Sequence, residues 1–547
     1  MRELTARAAA ALLLCMPLAA MAVDATSSGK PTFAELEAQG ARIGEIRVDT
    51  RNIFDLDDPR EDNWLFRLAN TLHMRTRPEV IGRDLLFKRG ERVSARLIEE
   101  TERFLLTKSY YYAVSIVPGA YRDGVVDIDV ITRDTWTINL NAKYSRSGGH
   151  NASQVGIQDT NVAGTALTLG YFHSSNPDRK GSEFEASYPQ AFDGHTQLAY
   201  QHGNYDDGFR KVATIARPFY ALDTRWAYGA TWERYSRVDP LYNAGDNVAE
   251  YRHASEGGEA YAGWSRGLVN GWTQRFSAGI YARDDSYAPE PDEVPPVPFP
   301  VDHKVRGPFF RHELIEDDFL RTRNRNQIAR TEFAEMGFHS KVEVTRALEG
   351  WGSTSSAWLY SAVVSDGFVL ARGHDLHATL TAERRIDSRG EPLDQQGVTL
   401  RYYAPQSLRS AFYGSLSLDR LGQGAAAPDL LSLGGDTGMR GYPIRYQHGE
   451  QRALLTLEQR VYTDWYPFRL FRVGGAVFVD VGRAWKGANQ TAINPGWLAD
   501  AGVGLRLSLD RTAFANVLHI DVAAPFDRDD DPRIKKVELV VRSKLTF

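Results

Sequence analysis

Residues 501–509 read Ala-Gly-Val-Gly-Leu-Arg-Leu-Ser-Leu. Successive side chains of an extended chain point to opposite faces, so Ala501, Val503, Leu505, Leu507 and Leu509 share one side. Gly502, Gly504, Arg506 and Ser508 share the other, which leaves one face apolar throughout and the other small, polar and charged. The same alternation appears over 136–144, where Trp136, Ile138, Leu140, Ala142 and Tyr144 oppose Thr137, Asn139, Asn141 and Lys143. It returns where Val477, Val479 and Val481 oppose Phe478, Asp480 and Gly482. In the final stretch Val537, Leu539, Val541, Leu545 and Phe547 oppose Glu538, Arg542, Lys544 and Thr546. Segments of about ten residues with this pattern, punctuated by Gly, Asp, Asn and Pro, fill the chain from residue 135 to its end.

A period of two fits a soluble sandwich with one wet face, and equally a membrane barrel with a polar lumen. Three features favour the barrel. The chain opens on an export signal, Trp226, Trp232, Trp264, Trp272, Trp465 and Trp485 sit at strand ends as an interfacial girdle would, and the last residue is aromatic. Mean hydropathy of −0.40 and 25% charged residues exclude a bundle of membrane helices. A net charge of −5 offers no basic field for nucleic acid, which is not expected as a partner. The 412 residues from 136 to 547, at about 25 per strand and turn, predict an all-β transmembrane barrel of about 16 antiparallel strands. Candidate segments number roughly 16 to 19, and an even count is expected. Two long irregular stretches, 286–306 with its six prolines and 420–449, are expected as extracellular loops.

Residues 1–22 carry Arg2 and Arg7, an apolar run, and an Ala20-Met21-Ala22 exit, the pattern of a secretory signal peptide. The single cysteine, Cys15, lies inside that run, so disulfides, thiol nucleophiles and zinc-thiolate sites are excluded from the exported chain. Residues 23–41 read as a flexible segment with one helical turn near Phe33 to Leu36. Then come a strand from Ile43, a helix whose stripe is Trp64, Leu65, Leu68 and Leu72, and an amphipathic helix over 93–106 with Glu99, Glu100, Glu102 and Arg103 on its polar face. A hairpin follows, with Val126, Ile128 and Val130 in its second arm. These elements make residues 42–134 a small α+β domain ahead of the barrel over 135–547.

One further stretch carries a resemblance. Gly434-Gly-Asp-Thr-Gly-Met-Arg440-Gly-Tyr-Pro443 is followed, one strand later, by Phe478-Val-Asp480-Val-Gly482. This resembles the signature of the BamA/TamA-like outer-membrane assembly and two-partner-secretion superfamily, the bacterial surface antigen type of barrel. In that family a long sixth loop carries an R-G-F/Y motif, folds back into the lumen, and pairs its arginine with an acidic residue on an inward-facing strand. The resemblance implies a loop latch of Arg440, Gly441, Tyr442, Asp480 and Gly482, extended by inward-facing Glu458 and Arg460. It also implies a C-terminal strand signal at Val541, Leu545 and Phe547, a second barrel strand at 158–164 (QDTNVAG), and a POTRA identity for 42–134. Five strand segments follow the loop, as in the family.

The family acts on polypeptides without chemical catalysis, so neither enzyme activity nor a cofactor or metal is expected. Partners implied are unfolded outer-membrane or exported client proteins, outer-membrane lipid, and periplasmic chaperones or accessory subunits; the implied location is the bacterial outer membrane, with the POTRA domain in the periplasm. Two roles stay open. As an insertase, the barrel opens a seam between its first strand (136–144) and its last (537–547), and the domain hands on extended clients at an edge strand near Val126 to Val130. As a two-partner-secretion transporter, it exports an unfolded protein through the lumen. Secretion members usually carry two POTRA domains and a plug helix, and insertases several POTRA domains, whereas one domain is legible here. Competing chemistry is weak: Gly263-Trp-Ser-Arg-Gly267 has the form of a nucleophile elbow but runs into another strand. His374 and His377 fall on opposite faces of a strand.

Overall fold

The computed structural model describes residues 31–371, 373–387, 394–422, 430–486, 496–513, 517–526 and 531–544. The leader at 1–22 and the terminal Leu545 and Phe547 lie outside the described residues. Val541 sits within the last strand, Glu538–Lys544.

The barrel is closed and has 20 antiparallel strands, from Ile138–Ser147 to Glu538–Lys544, each paired to its neighbours in sequence and the last to the first. The expected parity holds, and the expected number of about 16 does not. The error lay in the allowance per strand: tight turns such as Tyr205 to Gly208 bring the average to about 21 residues per strand and turn. The proline-rich irregular stretch is also shorter than read, because strand continues to Pro289 and resumes at His303. Gly263 to Gly267 lies inside the strand Asp246–Val269, which is followed by another strand, Trp272–Pro289, and no helix. At 20 strands the ring falls between porins, which leave a water-filled channel, and 22-stranded transporters, whose lumen is plugged.

Residues 33–134 form an α+β domain: α1 (Phe33–Ala38), β1 (Arg42–Arg51), α2 (Trp64–Leu72), α3 (Pro78–Asp84), α4 (Ala95–Leu106), β2 (Tyr111–Arg122) and β3 (Val125–Asp134). Order begins earlier than the sequence reading placed it. A reciprocal Thr32/Glu35 capping box starts α1, and Leu36 is fully buried in the domain core. Helix α3, opened by Pro78 at its first position, was not read from sequence. The sheet order is β1-β3-β2. The arm bearing Val126, Ile128 and Val130 is therefore central and not an edge, and all three side chains are fully buried. Its two neighbours consume its backbone groups, so the outer edges belong to β1, whose start is paired with residues 90–93, and to β2.

This domain seats on one end of the barrel. Most of the polar face of α4, with Glu99 left exposed, is turned towards the strand connections there. Glu100 accepts from the Leu222 N–H at 2.7 Å, Arg96 pairs with Asp223, Arg321 reaches Glu102 at 2.9 Å, and Arg103 covers the Phe319 ring at 3.6 Å. Burial pushes the carboxyl groups of Glu100 and Glu102 above their ordinary range, which records how closely the two bodies fit. At the far end the strands Trp226–Asn243 and Asp246–Val269, 18 and 24 residues long, exceed the nine to eleven that cross a bilayer. Their connecting turn folds inwards, with Ala244 packed beside Met439, Tyr442 and Ile534.

Candidate functional site

Between the strands Ser410–Leu421 and Gln451–Tyr462, residues 430–450 turn into the lumen. Leu431–Leu433 pairs with Gln447–Gly449 as a short neck, and the residues between them double back tightly. Gly435 has no room for a side chain: a Cβ there would lie 2.5 Å from the Tyr442 carbonyl oxygen and 2.7 Å from Gly148 N in the turn between the first two barrel strands. Gly441 is equally constrained, with Asp500 Cβ 2.9 Å from where its own Cβ would stand. Glycine at these points lets the loop lie flat against the barrel interior.

Arg440 is 3% exposed and meets a ring of inward-facing side chains. Its Nε donates to Asp480 Oδ2 at 2.6 Å and its Nη2 to Asp480 Oδ1 at 2.9 Å, a bidentate fork. Nη1 donates to Glu458 Oε1 at 2.9 Å and reaches Asp521 Oδ2 at 3.4 Å. The guanidinium stacks 3.3 Å from the Phe478 ring centroid. Thr456 Oγ1 donates to Asp480 at 2.8 Å, while Arg460 Nε donates to Glu458 at 3.1 Å. The neighbouring residues are pinned as well: the Gly441 N–H donates to Asp500 Oδ2 at 2.9 Å, and the Tyr442 hydroxyl donates to the Ala499 carbonyl at 3.0 Å. Gly482 leaves space for the loop, since a Cβ would stand 3.0 Å from Leu433 Cδ2 and 3.1 Å from Met439 Sδ. Arg440, Gly441, Tyr442, Glu458, Arg460, Asp480 and Gly482 thus lie together. Val541 is apart from them, on the last strand opposite Arg146 of the first.

Three members of this cluster were not singled out from sequence: Asp500, Arg506 and Asp521. Each is at most 1% exposed, and Arg506 pairs with Asp521. The signal was present, because Arg506 and Asp521 stand on the inner faces of alternating strands. The loop itself is the eighth connection at the far end, not the sixth, since 15 strands precede it.

A larger omission lies at the opposite mouth. The connection between the strands His303–Glu316 and His339–Ala347 carries its own hairpin, Phe319–Arg323 against Thr331–Glu335. Its tip enters the lumen. Glu332 organises the tip by accepting from the N–H groups of Arg325, Asn326 and Gln327. Arg325 pairs with Asp375 at 2.9 Å and stacks on Tyr403 at 3.9 Å, and Ile328, 2% exposed, packs among Tyr462, Ala476 and Val517. Arg460 Nη1 donates to the Arg325 carbonyl at 3.0 Å. Arg330 donates to the Tyr111 carbonyl of β2 at 3.1 Å. Polar contacts therefore run from β2 through the hairpin to Arg460, Glu458 and Arg440.

The seam contrasts with the rest of the wall. Among the described residues, Glu538–Lys544 and Ile138–Ser147 share one ladder pair, Val541 with Arg146. The next sparsest junctions share seven. Side chains cross the gap instead, with Glu538 accepting from the Gly149 N–H at 2.7 Å and Arg542 donating to Ser147 Oγ.

No family model and no curated protein matches the chain. Among solved structures, CdiB from Escherichia coli is 12% identical over 93% of this chain and 77% of its own, with a TM-score of 0.46. CdiB from Acinetobacter baumannii is 13% identical over 92% of this chain and 73% of its own, with a TM-score of 0.43. BamA from Haemophilus ducreyi, solved without its POTRA domains 1–3, is 14% identical over 92% of this chain and 84% of its own, with a TM-score of 0.38. Function is accordingly read from this chain's own geometry.

Proposed function

We propose that the protein is an outer-membrane assembly factor whose seam templates client β-strands, with residues 42–134 acting as one periplasmic POTRA-like domain. The carrying observation is that, among the described residues, the first and last strands share a single ladder pair. In hydrocarbon an unpaired backbone N–H or C=O costs several kcal/mol, roughly, so a poorly paired seam is where an incoming strand gains most by pairing. Clients are unfolded outer-membrane polypeptides recognised through their backbone by β-augmentation, and the outer edges of β2 and of β1 beyond Ile43 present the same chemistry on the periplasmic side. The loop bearing Arg440 holds the far half of the wall in shape while the seam opens. Lipid is the other partner, and no cofactor, metal or nucleic acid enters the reading.

A second reading, export of an unfolded protein through the lumen, is favoured by the inner hairpin, because a plug at the periplasmic mouth suits a gated pore. Reconstitution separates the two. Purified protein in phospholipid vesicles is expected to accelerate the folding of a small unfolded outer-membrane barrel, followed by its heat-dependent gel shift. No acceleration by a correctly folded barrel would turn the assignment to secretion.

A further inference from the structure

Helix α2 turns its apolar arc away from the protein. At 100° per residue, Trp64, Leu65, Leu68 and Leu72 fall within an arc of about 100°. They are 75%, 47%, 45% and 58% exposed. The stripe that the sequence spacing marks therefore faces outwards, and the opposite side anchors the helix. Phe66 stacks on Phe54 with ring centroids 3.7 Å apart. The Asn70 amide holds the Phe54 main chain through both its N–H (3.1 Å) and its C=O (2.9 Å).

The anchoring places α2 beneath the seam. Its Ile53–Phe54–Phe66 support packs on Trp136 and Leu470. Arg511, just past the end of the strand Leu498–Leu509, donates to the Ile53 carbonyl and to Glu61. Beyond the helix, the Arg77 N–H donates to the Gly164 carbonyl at 3.0 Å. The segment thus runs along the strand ends from 470 to 164, the sector that contains the first and last strands. At its start, in the connection before the strand Phe471–Trp485, Trp465 and Phe468 are 66% and 80% exposed.

We infer that α2 and the 463–470 turn lie in the periplasmic leaflet of the membrane, with Trp64, Leu65, Leu68, Leu72, Trp465 and Phe468 among lipid headgroups and upper acyl chains. This rests on reading the barrel as membrane-spanning. An exposed apolar arc rich in tryptophan and leucine is the composition of an interfacial helix. It adjoins the wall's outward apolar residues, with Leu509 at a strand end directly above Arg511. The two arginines flanking the arc are met by carboxylates, Arg60 by Asp58 and Arg67 by Asp62. The consequence is that the helix keeps the domain and the bilayer surface in register beneath the seam.

The test uses full-length protein in phosphatidylethanolamine/phosphatidylglycerol vesicles, in a Cys15→Ser background. An environment-sensitive fluorophore is placed by Leu68→Cys, by Val503→Cys on the outward barrel wall, or by Glu45→Cys on β1. Nitroxide-bearing lipid is expected to quench the probes at 68 and 503 and to spare the one at 45. Quenching at 503 without quenching at 68 would overturn the inference while leaving the barrel in the membrane. Loss of quenching at 503 would overturn the membrane reading itself. A probe at 68 that is spared by nitroxide lipid and becomes shielded only when unfolded barrel polypeptide is added would overturn lipid as the occupant and identify a client surface.

Discussion

Arg440→Ala is expected to release the loop from the lumen while the barrel stays folded. The guanidinium is the cation in contact with both Asp480 and Glu458 on the loop side, and Asp480 is fully buried. Removing one partner of a buried ion pair costs about 3–5 kcal/mol, because the remaining charge has lost its counter-ion and has no access to water. What then holds the loop against the entropy of its confinement is the Gly441 and Tyr442 hydrogen bonds, the Arg445 fork on Asp178, the Tyr446–Asp531 contact and the packing of Met439 and Tyr442, and the loop loses its most deeply buried tie. The wall itself does not depend on Arg440, since its ladders are backbone-paired independently. Limited proteolysis should therefore cut within 434–446 in the variant and not in the parent, with heat-dependent gel mobility unchanged. Arg440→Lys is expected to fall between them, as an ammonium cannot reproduce the two-pronged contact with Asp480. A variant as resistant as the parent would show that the remaining contacts, among them the Arg445 fork on Asp178, hold the loop without Arg440.

The second large effect concerns the inner hairpin. Replacing 319–335 by a short Gly-Ser turn removes the tip that carries Arg325 and Ile328 from the lumen, yet touches no rung between the flanking strands. A 20-stranded ring is wide enough for water once its fillers are gone. Ion conductance in planar bilayers is expected to rise several-fold over the parent. Combining the deletion with Arg440→Ala should raise it further than either alone, because the two elements close opposite mouths. The contacts through Arg460 Nη1 and Arg330 suggest a stronger result: the hairpin deletion alone should increase proteolysis at 434–446. Unchanged conductance would mean that the far-end loops alone seal the pore.

What was legible depended on how far each signal travels along the chain. Alternation is local and repeats on every strand, so the inner placement of Phe478, Asp480 and Arg506 could be read without knowing the partner strands. Strand number could not, because short turns leave no gap in the alternation and merge neighbouring strands by eye. The stripe Trp64, Leu65, Leu68 and Leu72 illustrates a different limit: periodicity finds an apolar face but does not say what covers it. Here Phe66 and Asn70 anchor the helix from the other side. Likewise Val126, Ile128 and Val130 mark a strand as buried, and the parallel partner that makes it central lies some 80 residues earlier. The hairpin at 319–335 was missed because Arg321, Arg323, Arg325 and Glu332 give it the polarity of a solvated turn. Its burial arises from lumen residues such as Asp375 and Tyr403 that are remote in sequence.

The central claim, that the seam opens, is tested most directly by closing it covalently. Val541 and Arg146 face each other as the described rung of the seam, so Arg146→Cys with Val541→Cys in a Cys15→Ser background places two thiols across it. In vesicles, the oxidised protein is expected to lose its acceleration of client-barrel folding and to regain it on reduction, with the single-cysteine variants unaffected throughout. Full acceleration by protein shown to be cross-linked would contradict the account, because a client would then be served by a barrel whose wall cannot part.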